Sequence, residues 1–547
     1  MEFNYKFKGN SGISSTGNRT DMNFAPDLNR EPTFFVSKLR DSLNFREAMS
    51  ALHDVVVSDM SFKPKDKSDY KAWLESQEQV WLAELVAEKE KHQGQYDRIQ
   101  KELSDIRSKE NKLLKPYYDA QSKYFNYLYK NDYDKWFVLD PVITVHPDEV
   151  FFECFSQDES SYGKLSCSYD TFKDIEEHAY GTTNIDYSDK LYDEFQKIRD
   201  YKETSFAIDP SGFEVQTELS DDFKEEKIDL PDSWVRGFLQ ISSAMTMDKS
   251  SFTLHPMDMY NILLMLKRNK ERKSPRSLRF ILQPDKPVEV LFEPWGKKLT
   301  FKRSIYEGKK AQEIRIWGRR RLFILERLLP VAKSFKVSLL GSGMPSFWEA
   351  DLGAMNFTLG LSGWSANDWS ASANFDLMSP RAEVDSVTSQ KVFDALSENH
   401  VESSASLSER LGLEKPIIES ALGIYSQYGR VLYDMNKNTY RLRELSGEPL
   451  PMDKLQFSNE REEKASKFVL ENAVMLGKTY QQTEQIEIHG SVMDNGKTYS
   501  TMLVIDNEMK LKDATCNCWY FGQNKLHKGP CEHILGTRSF WRRKSHD

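Results

Sequence analysis

Apolar side chains recur at helical spacing in the first third of the chain. They predict a helix between Leu43 and Ser58 and a longer helical region from Ser68 to Leu113, best explained as a packed hairpin. The first of these helices would bury Phe45, Met49, Leu52, Val55 and Val56. Residues 1–36, rich in Asn, Gly, Ser and Thr, are expected to form a loosely ordered arm, and residues 37–136 a helical region.

Strand-like runs dominate after residue 136. Residues 137–230 predict a mixed α+β region, and residues 231–380 predict an α+β core domain in which an antiparallel meander is covered by helices. In the core domain, helices are predicted at Asp232–Met245, at Pro256–Leu266 and from Gly318 onwards; strands are predicted at Leu278–Leu282, Val288–Phe292, Lys298–Ser304, Glu313–Trp317 and Phe335–Leu340, and within Phe347–Leu361.

Residues 381–447 carry a third pattern, in which three short amphipathic helices precede two strands. The predicted elements are Thr388–Asn399, Ser404–Leu411, Glu414–Tyr428, Arg430–Tyr433 and Thr439–Leu442. This order resembles a winged helix-turn-helix, which implies a DNA-reading fold. The third helix is slightly acidic, whereas Arg430, Lys437, Arg441 and Arg443 make the wing basic. That distribution favours contact with a phosphate backbone or a protein over base readout.

Alternating residues near the C-terminus predict three strands. Gln485–Met493 and Thr498–Asp506 flank the turn sequence Asp494–Lys497, a strong hairpin signal, and Met509–Thr515 follows. We assign residues 455–540 to one module, followed by a basic tail at 541–547. The fold class predicted for the whole chain is therefore α+β and multidomain.

Composition narrows the class of protein. The 547 residues are 39% hydrophobic and 29% charged, which is typical of globular domains, and the length suggests about three to five of them. No apolar run is long enough for a membrane span, and the N-terminus lacks a signal-peptide pattern, so a cytoplasmic protein without membrane contact is expected. A net charge of −9 opposes a surface built throughout for nucleic acid.

Three of the five cysteines lie in one short window. Cys516-Asn517-Cys518 is followed, after twelve residues, by Cys531-Glu532-His533. Three thiolates and one imidazole complete the tetrahedral shell of a structural Zn²⁺, so one structural zinc is predicted at Cys516, Cys518, Cys531 and His533. His527 is a competing nitrogen ligand, and the other two cysteines, Cys154 and Cys167, are interpreted as ordinary thiols of a reduced protein.

The Cys-x-Cys and Cys-x-His pairs, placed on a strand and at a helix start, resemble the SWIM zinc finger. The runs Ala51–Asp59, Ile316–Leu322 and Leu361–Trp364 further resemble bacterial SWIM proteins found with MoxR-type ATPases and von Willebrand factor A proteins. The resemblance implies a non-catalytic adaptor or recognition subunit of an ATP-driven system, with those proteins as possible partners. The ATPase would be another chain, since no ATP-binding motif is present here.

Nucleic acid is the other possible partner. Residues 509–547 contain eight basic and three acidic side chains, a local charge of +5, and Lys267–Arg279 contains seven basic residues against one Glu. The predicted contact residues are Lys525, Lys528, Arg538, Arg542, Arg543, Lys437, Arg319, Arg320 and Arg321. Arg319, Arg320 and Arg321, at the start of the apolar helix predicted after Gly318, could equally pair with acidic neighbours. Alternatively, the winged helix and the Trp364–Trp369 loop serve as protein contacts.

Catalysis is not expected, because no nucleophile and base pair is evident and the predicted metal shell is closed. The alternative is a hydrolase or nuclease whose site assembles from distant residues such as His53, Asp54, His146 and Asp158.

Overall fold

The computed structural model shows a mixed α+β protein. It describes residues 11–16, 19–24, 26, 33–58, 141–176, 178–185, 192, 195–208, 232–270, 276–363, 369, 375, 384–427, 429–445, 460–481, 485–506 and 511–546. The predicted helical region from Ser68 to Leu113 lies outside these residues. Those described form five sheets and nine α-helices.

The strands, numbered in chain order, are β1 (Gly12–Thr16), β2 (Arg19–Phe24), β3 (Phe34–Leu39), β4 (Val142–Val145), β5 (Glu149–Phe155), β6 (Ser161–Ser168), β7 (Phe172–Lys173), β8 (His178–Ala179), β9 (Gly181–Asn184), β10 (Glu203–Ile208), β11 (Ser250–Leu254), β12 (Leu278–Leu282), β13 (Lys286–Phe292), β14 (Lys297–Tyr306), β15 (Gln312–Ile316), β16 (Ser334–Leu339), β17 (Ser346–Asp351), β18 (Met355–Leu361), β19 (Val401–Glu402), β20 (Val431–Asp434), β21 (Thr439–Leu442), β22 (Val474–Gln481), β23 (Gln485–Asp494), β24 (Lys497–Asp506) and β25 (Leu511–Cys516). The helices are α1 (Ser42–Val56), α2 (Asp232–Met245), α3 (Pro256–Arg268), α4 (Ser386–Asn399), α5 (Ser404–Leu411), α6 (Lys415–Gln427), α7 (Glu460–Leu470), α8 (Trp519–Asn524) and α9 (Glu532–His546).

The start of the chain differs from the loosely ordered arm expected there. Strands β1 and β2 pair antiparallel, and β2 pairs in parallel with β10 in a six-stranded sheet. Ile13, Met22 and Phe24 are buried in the main core, and this burial offsets the entropy lost by ordering a polar segment.

An eight-stranded sheet forms the centre of the described structure, in the order β11-β16-β17-β18-β6-β5-β4-β9. It joins strands from the 137–230 region to strands from the 231–380 region, which the sequence assigned to separate units. Alternation gives it two different faces, because successive residues of a strand point to opposite sides. Val150, Phe152 and Cys154 of β5 enter the main core, whereas Glu149 and Glu153 are buried on the other face.

The four-stranded sheet β14-β13-β12-β15 matches the predicted meander closely. Helix α3 packs beside it: the Asp258 carboxylate accepts a hydrogen bond from Ser304 of β14 at 2.8 Å. The helix predicted after Gly318 is a 3-10 helix, Arg319–Leu328, whose apolar residues Leu322, Leu325 and Leu328 are buried as expected.

Helices α4, α5 and α6 confirm the three helices predicted between residues 388 and 428, to within two residues at each end. Asp385 caps α4 by accepting a hydrogen bond from the Thr388 backbone N–H at 2.9 Å, and Gly412 ends α5 with a φ of 66°. A small sheet in the order β19-β21-β20 follows.

The C-terminal module, defined here as residues 460–546, consists of α7, the sheet β22-β23-β24-β25, α8 and α9. The predicted hairpin is confirmed: β23 pairs with β24 up to Asp494 and Lys497, around Asn495 and Gly496 with φ of 50° and 75°. Two positive φ angles fit the Asn-Gly pair of a two-residue hairpin turn.

Candidate metal centre

Four buried side chains of the C-terminal module converge on one point. Cys516 is the last residue of β25, Cys518 caps the start of α8, Cys531 directly precedes α9 and His533 lies in its first turn. Their ligand atoms all lie within 4.8 Å of one another, so the group could hold a metal ion. The structure thus brings together the four residues that the spacing selected.

The first pair of ligands is fixed by backbone geometry. Cys516 pairs with Thr501 of β24, and the Asn517 side chain accepts a hydrogen bond from the Ser500 backbone N–H at 2.9 Å. The Cys518 sulfur accepts a hydrogen bond from the Phe521 backbone N–H at 3.3 Å. That bond stabilises the ionised thiolate and orients it at the helix start.

The ring of His533 is held in one orientation. It stacks on Tyr499 with 4.2 Å between ring centroids and on Phe468 with 5.6 Å. Its Nε2 lies 3.3 Å from an Asp494 carboxylate oxygen, whereas its buried Nδ1 has no hydrogen-bond partner within the described residues. A carboxylate on one ring nitrogen and a metal on the other is the usual arrangement of metal-binding histidines. The unpaired Nδ1 therefore fits a metal ligand.

Helix α7 supports the site through residues that sequence reasoning missed. Arg461 donates hydrogen bonds to the Tyr520 hydroxyl at 2.6 Å and to the Pro530 carbonyl at 2.9 Å, which fixes the loop between the two ligand pairs. Lys464 and Phe468 lie on the same helix face and contact Asp494 and His533. The spacing of Arg461, Lys464 and Phe468 by three and four residues indicates one helix face in the sequence, but nothing in the sequence links that face to the cysteines.

A second group of possible ligands, Asp494, Glu532 and His533, adjoins the first. The Lys464 ammonium lies 2.7 Å from Asp494 and 3.2 Å from Glu532, so both carboxylates already share a cation. Asp494, which lies 3.3 Å from His533 Nε2, therefore serves to orient the ring. His527, the competing nitrogen, lies outside both groups.

The three thiols interact strongly enough to shift one another's pKa. A hydrogen bond from Cys531 lowers the pKa of Cys516 to about 4 and that of Cys518 to about 7. The same contacts raise the pKa of Cys531. Although burial lowers it, the nearby sulfurs of Cys516 and Cys518 raise the pKa of His533 to about 9. Charge on one sulfur opposes ionisation of the next, and a bound dication would remove that opposition.

The predicted nucleic-acid contacts at this end fall into two sets. Lys525 and Arg543 are exposed and Lys528 is half-buried, so all three can reach a partner. Arg538 is buried, and the Arg542 side chain lies outside the described residues. Trp519, next to Cys518, is 78% exposed, more than any other large apolar side chain of the described chain.

The arginines at residues 319–321 have mainly structural surroundings. Arg319 is buried, donates to the Ser277 carbonyl at 2.9 Å and lies over the Trp295 ring at 4.5 Å. Arg321 is buried and donates to Ser362 at 3.2 Å, and burial lowers its pKa to about 10. Arg320 alone of the three is exposed. The buried pair thus has structural surroundings, but its hydrogen bonds named here go to carbonyl and hydroxyl oxygens and not to the acidic neighbours of the structural alternative.

The basic wing is neutralised within the molecule. Lys437 lies 2.7 Å from Asp148 and 2.9 Å from Glu149, and Arg441 makes two bonds to Asp148 at 2.8 and 2.9 Å. Arg443 lies 3.0 Å from Glu153. Arg441 and Arg443 are fully buried, so hairpin β20–β21 is bound to the charged face of the eight-stranded sheet.

The residues of the hydrolase alternative have separate surroundings. His53 stacks on Tyr192, Asp54 faces Arg327 at 3.8 Å, and Asp158 accepts hydrogen bonds from Ser156 and Ser160 in its own turn. Burial, with the charge of Arg441, lowers the pKa of His146 to about 3. Among the described residues, these four do not form a metal-binding group.

The structure also describes the two remaining cysteines and one end of the Trp364–Trp369 loop. Cys154 and Cys167 are buried free thiols, as predicted. Trp369 is buried against Phe347 and Phe375, while residues 364–368 lie outside the described residues. Among the helices that the structure describes, none combines the length and apolar character needed to cross a bilayer.

Comparison with known proteins identifies no family. No family model matches the chain, and no curated protein matches it. Among solved structures, the proliferating cellular nuclear antigen of Entamoeba histolytica aligns with 41% of this chain and 89% of that chain, at 12% sequence identity and a TM-score of 0.28. A similarity this weak supports no conclusion about fold or function.

Proposed function

We propose that the chain is a non-catalytic recognition or adaptor protein whose C-terminal module is held together by one Zn²⁺. The observation that carries the proposal is the convergence of Cys516, Cys518, Cys531 and His533 within 4.8 Å, with all four side chains buried. Three thiolates and one imidazole favour zinc over the oxygen-preferring Mg²⁺ and Ca²⁺.

The role proposed for this metal is structural. Four protein ligands fill a tetrahedral shell, which leaves no position for a substrate or an activated water. The stacked rings of Tyr499 and Phe468 further enclose His533. Cysteines stay reduced in the cytosol, so a site of three thiolate ligands supports the cytoplasm as the proposed location.

The resemblances to a SWIM finger and to a winged helix are also part of this proposal. The ligand order on β25, α8 and α9 agrees with a SWIM finger, and α4, α5 and α6 with hairpin β20–β21 agree with a winged helix. Because its basic residues pair internally, this winged helix is proposed as a protein-contact element. MoxR-type ATPases and von Willebrand factor A proteins remain its proposed partners, on the resemblance alone.

We place nucleic-acid contact on the C-terminal module. Trp519 presents an open aromatic face on the exposed side of α8. Gly522, one helical turn further along α8, borders open space, since a methyl group built there would have no atom within 4 Å. An unpaired base can stack on such a face, while Lys525 and Arg543 supply phosphate contacts.

Replacing Asp494 by Asn tests the metal centre without removing a ligand. The amide is a weaker acceptor for the His533 ring N–H, so Zn²⁺ affinity should fall by roughly 10–100-fold. Competition with a chromophoric chelator measures this. Asp513→Asn is the matched control, since exposed Asp513 belongs to neither metal-binding group. Equal affinities of the two variants would contradict the arrangement.

Titration with a 20-nucleotide single strand and the matching duplex, at 50 and 200 mM salt, tests the nucleic-acid proposal. Trp519→Ala should weaken single-strand binding by about 1–3 kcal/mol, while Lys525→Ser with Arg543→Ser should lower the salt dependence for both probes. Met493→Ala, another exposed apolar residue of the module, is the control. If the unchanged chain binds neither probe at 50 mM salt, the module is a protein-contact element instead.

A further inference from the structure

A second basic surface lies at one end of the four-stranded sheet. Helix α3 ends there: the side chain of Asn269, its C-cap residue, accepts a hydrogen bond from the Lys297 ammonium at 2.9 Å. Strand pairing places Leu278, Phe292 and Lys297 in one row across β12, β13 and β14. The chain entering β12 therefore reaches the same end of the sheet as the start of β14.

Four cations lie on the chain segments that reach this junction and are here called the sheet-end cluster: Arg268, Lys270, Arg276 and Lys297. All four are exposed, and within the described residues none of them forms an ion pair. Their neighbours behave differently, since Lys298 pairs with Glu289 at 2.6 Å and Arg279 with Glu313 at 2.8 Å. Among the described residues, no carboxylate oxygen lies within 4 Å of a cation of the sheet-end cluster, and Glu293 at this end of the sheet pairs instead with Arg279 and Arg315.

The surroundings of the cluster decide which partner fits. Protein interfaces bind through apolar and aromatic anchors and are depleted in lysine. The exposed large apolar residues of α3, Met257 and Tyr260, lie in its first turns, at the opposite end from Asn269. At this end of the sheet Trp295 is half-buried against Arg319, and none of the described large apolar side chains there is exposed. Exposed lysines and arginines match the phosphates of a nucleic-acid backbone, which require positive charge and little else.

We propose that the sheet-end cluster binds the phosphate backbone of a nucleic acid without reading its bases. The Lys267–Arg279 run supplies three of its cations, and the fold adds Lys297 from β14. The surface belongs to a different sheet from the C-terminal module, so its existence does not depend on the metal centre or on Trp519.

The test compares two variants of equal charge. The first carries Arg268→Ser, Lys270→Ser, Arg276→Ser and Lys297→Ser. The control carries Lys286→Ser, Lys302→Ser, Lys309→Ser and Lys310→Ser, exposed residues at the far end of the sheet and along β14. Both changes remove four positive charges from the surface, where substitutions cost little stability, and equal thermal midpoints verify the folds.

Binding of the single strand and the duplex is measured at 50, 100 and 200 mM salt. The sheet-end variant should bind roughly 10–100-fold more weakly at 50 mM, and the slope of log affinity against log salt should fall by about one for each phosphate that the variant no longer binds. The control should retain its affinity within about threefold, since it keeps all four cations of the cluster.

Equal losses in the two variants would overturn the proposal, because they would show a general charge effect. An unchanged affinity of the sheet-end variant would overturn it as well. Poly-glutamate that competes as strongly as the oligonucleotides would indicate an acidic polypeptide as the partner and would likewise overturn it. The outcome is separable from that of the proposed function. If the sheet-end variant loses nucleic-acid affinity and Trp519→Ala does not, the result supports this surface. The same result shows that the C-terminal module is not the nucleic-acid element.

Discussion

Replacing Cys516 by Ser is expected to release the metal and to unfold the C-terminal module. Structural zinc sites contribute an apparent binding free energy of about 10–16 kcal/mol in small zinc-finger peptides, so losing one thiolate removes a large part of the module's stability. Metal analysis of the purified variant should find less than one Zn²⁺ per chain, and limited proteolysis should cut after about residue 485.

The structure extends this expectation to the body of the protein. Ile488, Leu503 and Leu511 of the module belong to the same buried cluster as Phe238 and Ile241 of α2. Unfolding the module would therefore expose apolar surface on α2, and the melting temperature of the remaining structure should fall as well. A module that was merely tethered would leave that temperature unchanged.

Cys167→Ser is the matched control, since it makes the same chemical change at a buried free thiol that lies outside the metal-binding group. The hydroxyl costs some stability in the core, but the variant should keep one Zn²⁺ per chain. Elemental analysis that finds no stoichiometric metal in the unchanged protein would contradict the zinc proposal. A Cys516→Ser chain that keeps its metal would do the same.

The sequence predicts those parts of the fold whose causes are local. Residues two apart in an extended strand face the same way, so Cys516 and Cys518 could be paired from spacing alone. The hairpin at Asp494–Lys497 follows from the Asn-Gly pair, which accepts positive φ at both positions. Both ends of helix α5 are also set locally, by the N-cap residue Ser403 and by Gly412 at the C-terminal end.

Contacts between distant residues could not be obtained in this way. Asp494 was correctly placed in a turn, but its contact with His533 spans 39 positions and depends on how α9 packs. The pairing of β6 with β18 joins segments separated by nearly two hundred residues. No local pattern records such a pairing, because either strand could have bonded to several others.

In the wing, the sequence predicts the basic charge correctly but does not predict that the charge is paired within the molecule. Its arginines are visible in the sequence as a basic surface, but their partners are Asp148, 293 positions from Arg441, and Glu153, 290 positions from Arg443. A buried guanidinium and a solvated one give the same sequence signal. The distinction appears only when the charged face of the eight-stranded sheet is assembled opposite hairpin β20–β21.

Arg441→Met should therefore destabilise the protein strongly. Arg441 is fully buried and binds Asp148 at 2.8 and 2.9 Å and Asp434 at 2.9 Å. Methionine removes one counter-charge from the buried Asp434 and the half-buried Asp148, which keep only Lys164 and Lys437, at a cost of about 3–5 kcal/mol. Arg430→Met is the control: Arg430 pairs with Glu444 near the surface at 2.8 Å, and its loss should cost about 1 kcal/mol or less.

The pH dependence separates a lost ion pair from lost packing. Although burial raises it, Arg441 and Lys437 hold the pKa of Asp148 well below its usual range, and Lys164 with Arg441 does the same for Asp434. A carboxyl group whose folded-state pKa is lowered stabilises the protein above its unfolded pKa of about 4 and loses that contribution as pH falls. The difference in unfolding free energy between the unchanged chain and Arg441→Met should be largest at pH 7 and shrink below about pH 4. Urea unfolding across that range measures it, and a difference independent of pH would show that Arg441 stabilises the hairpin by packing rather than by charge.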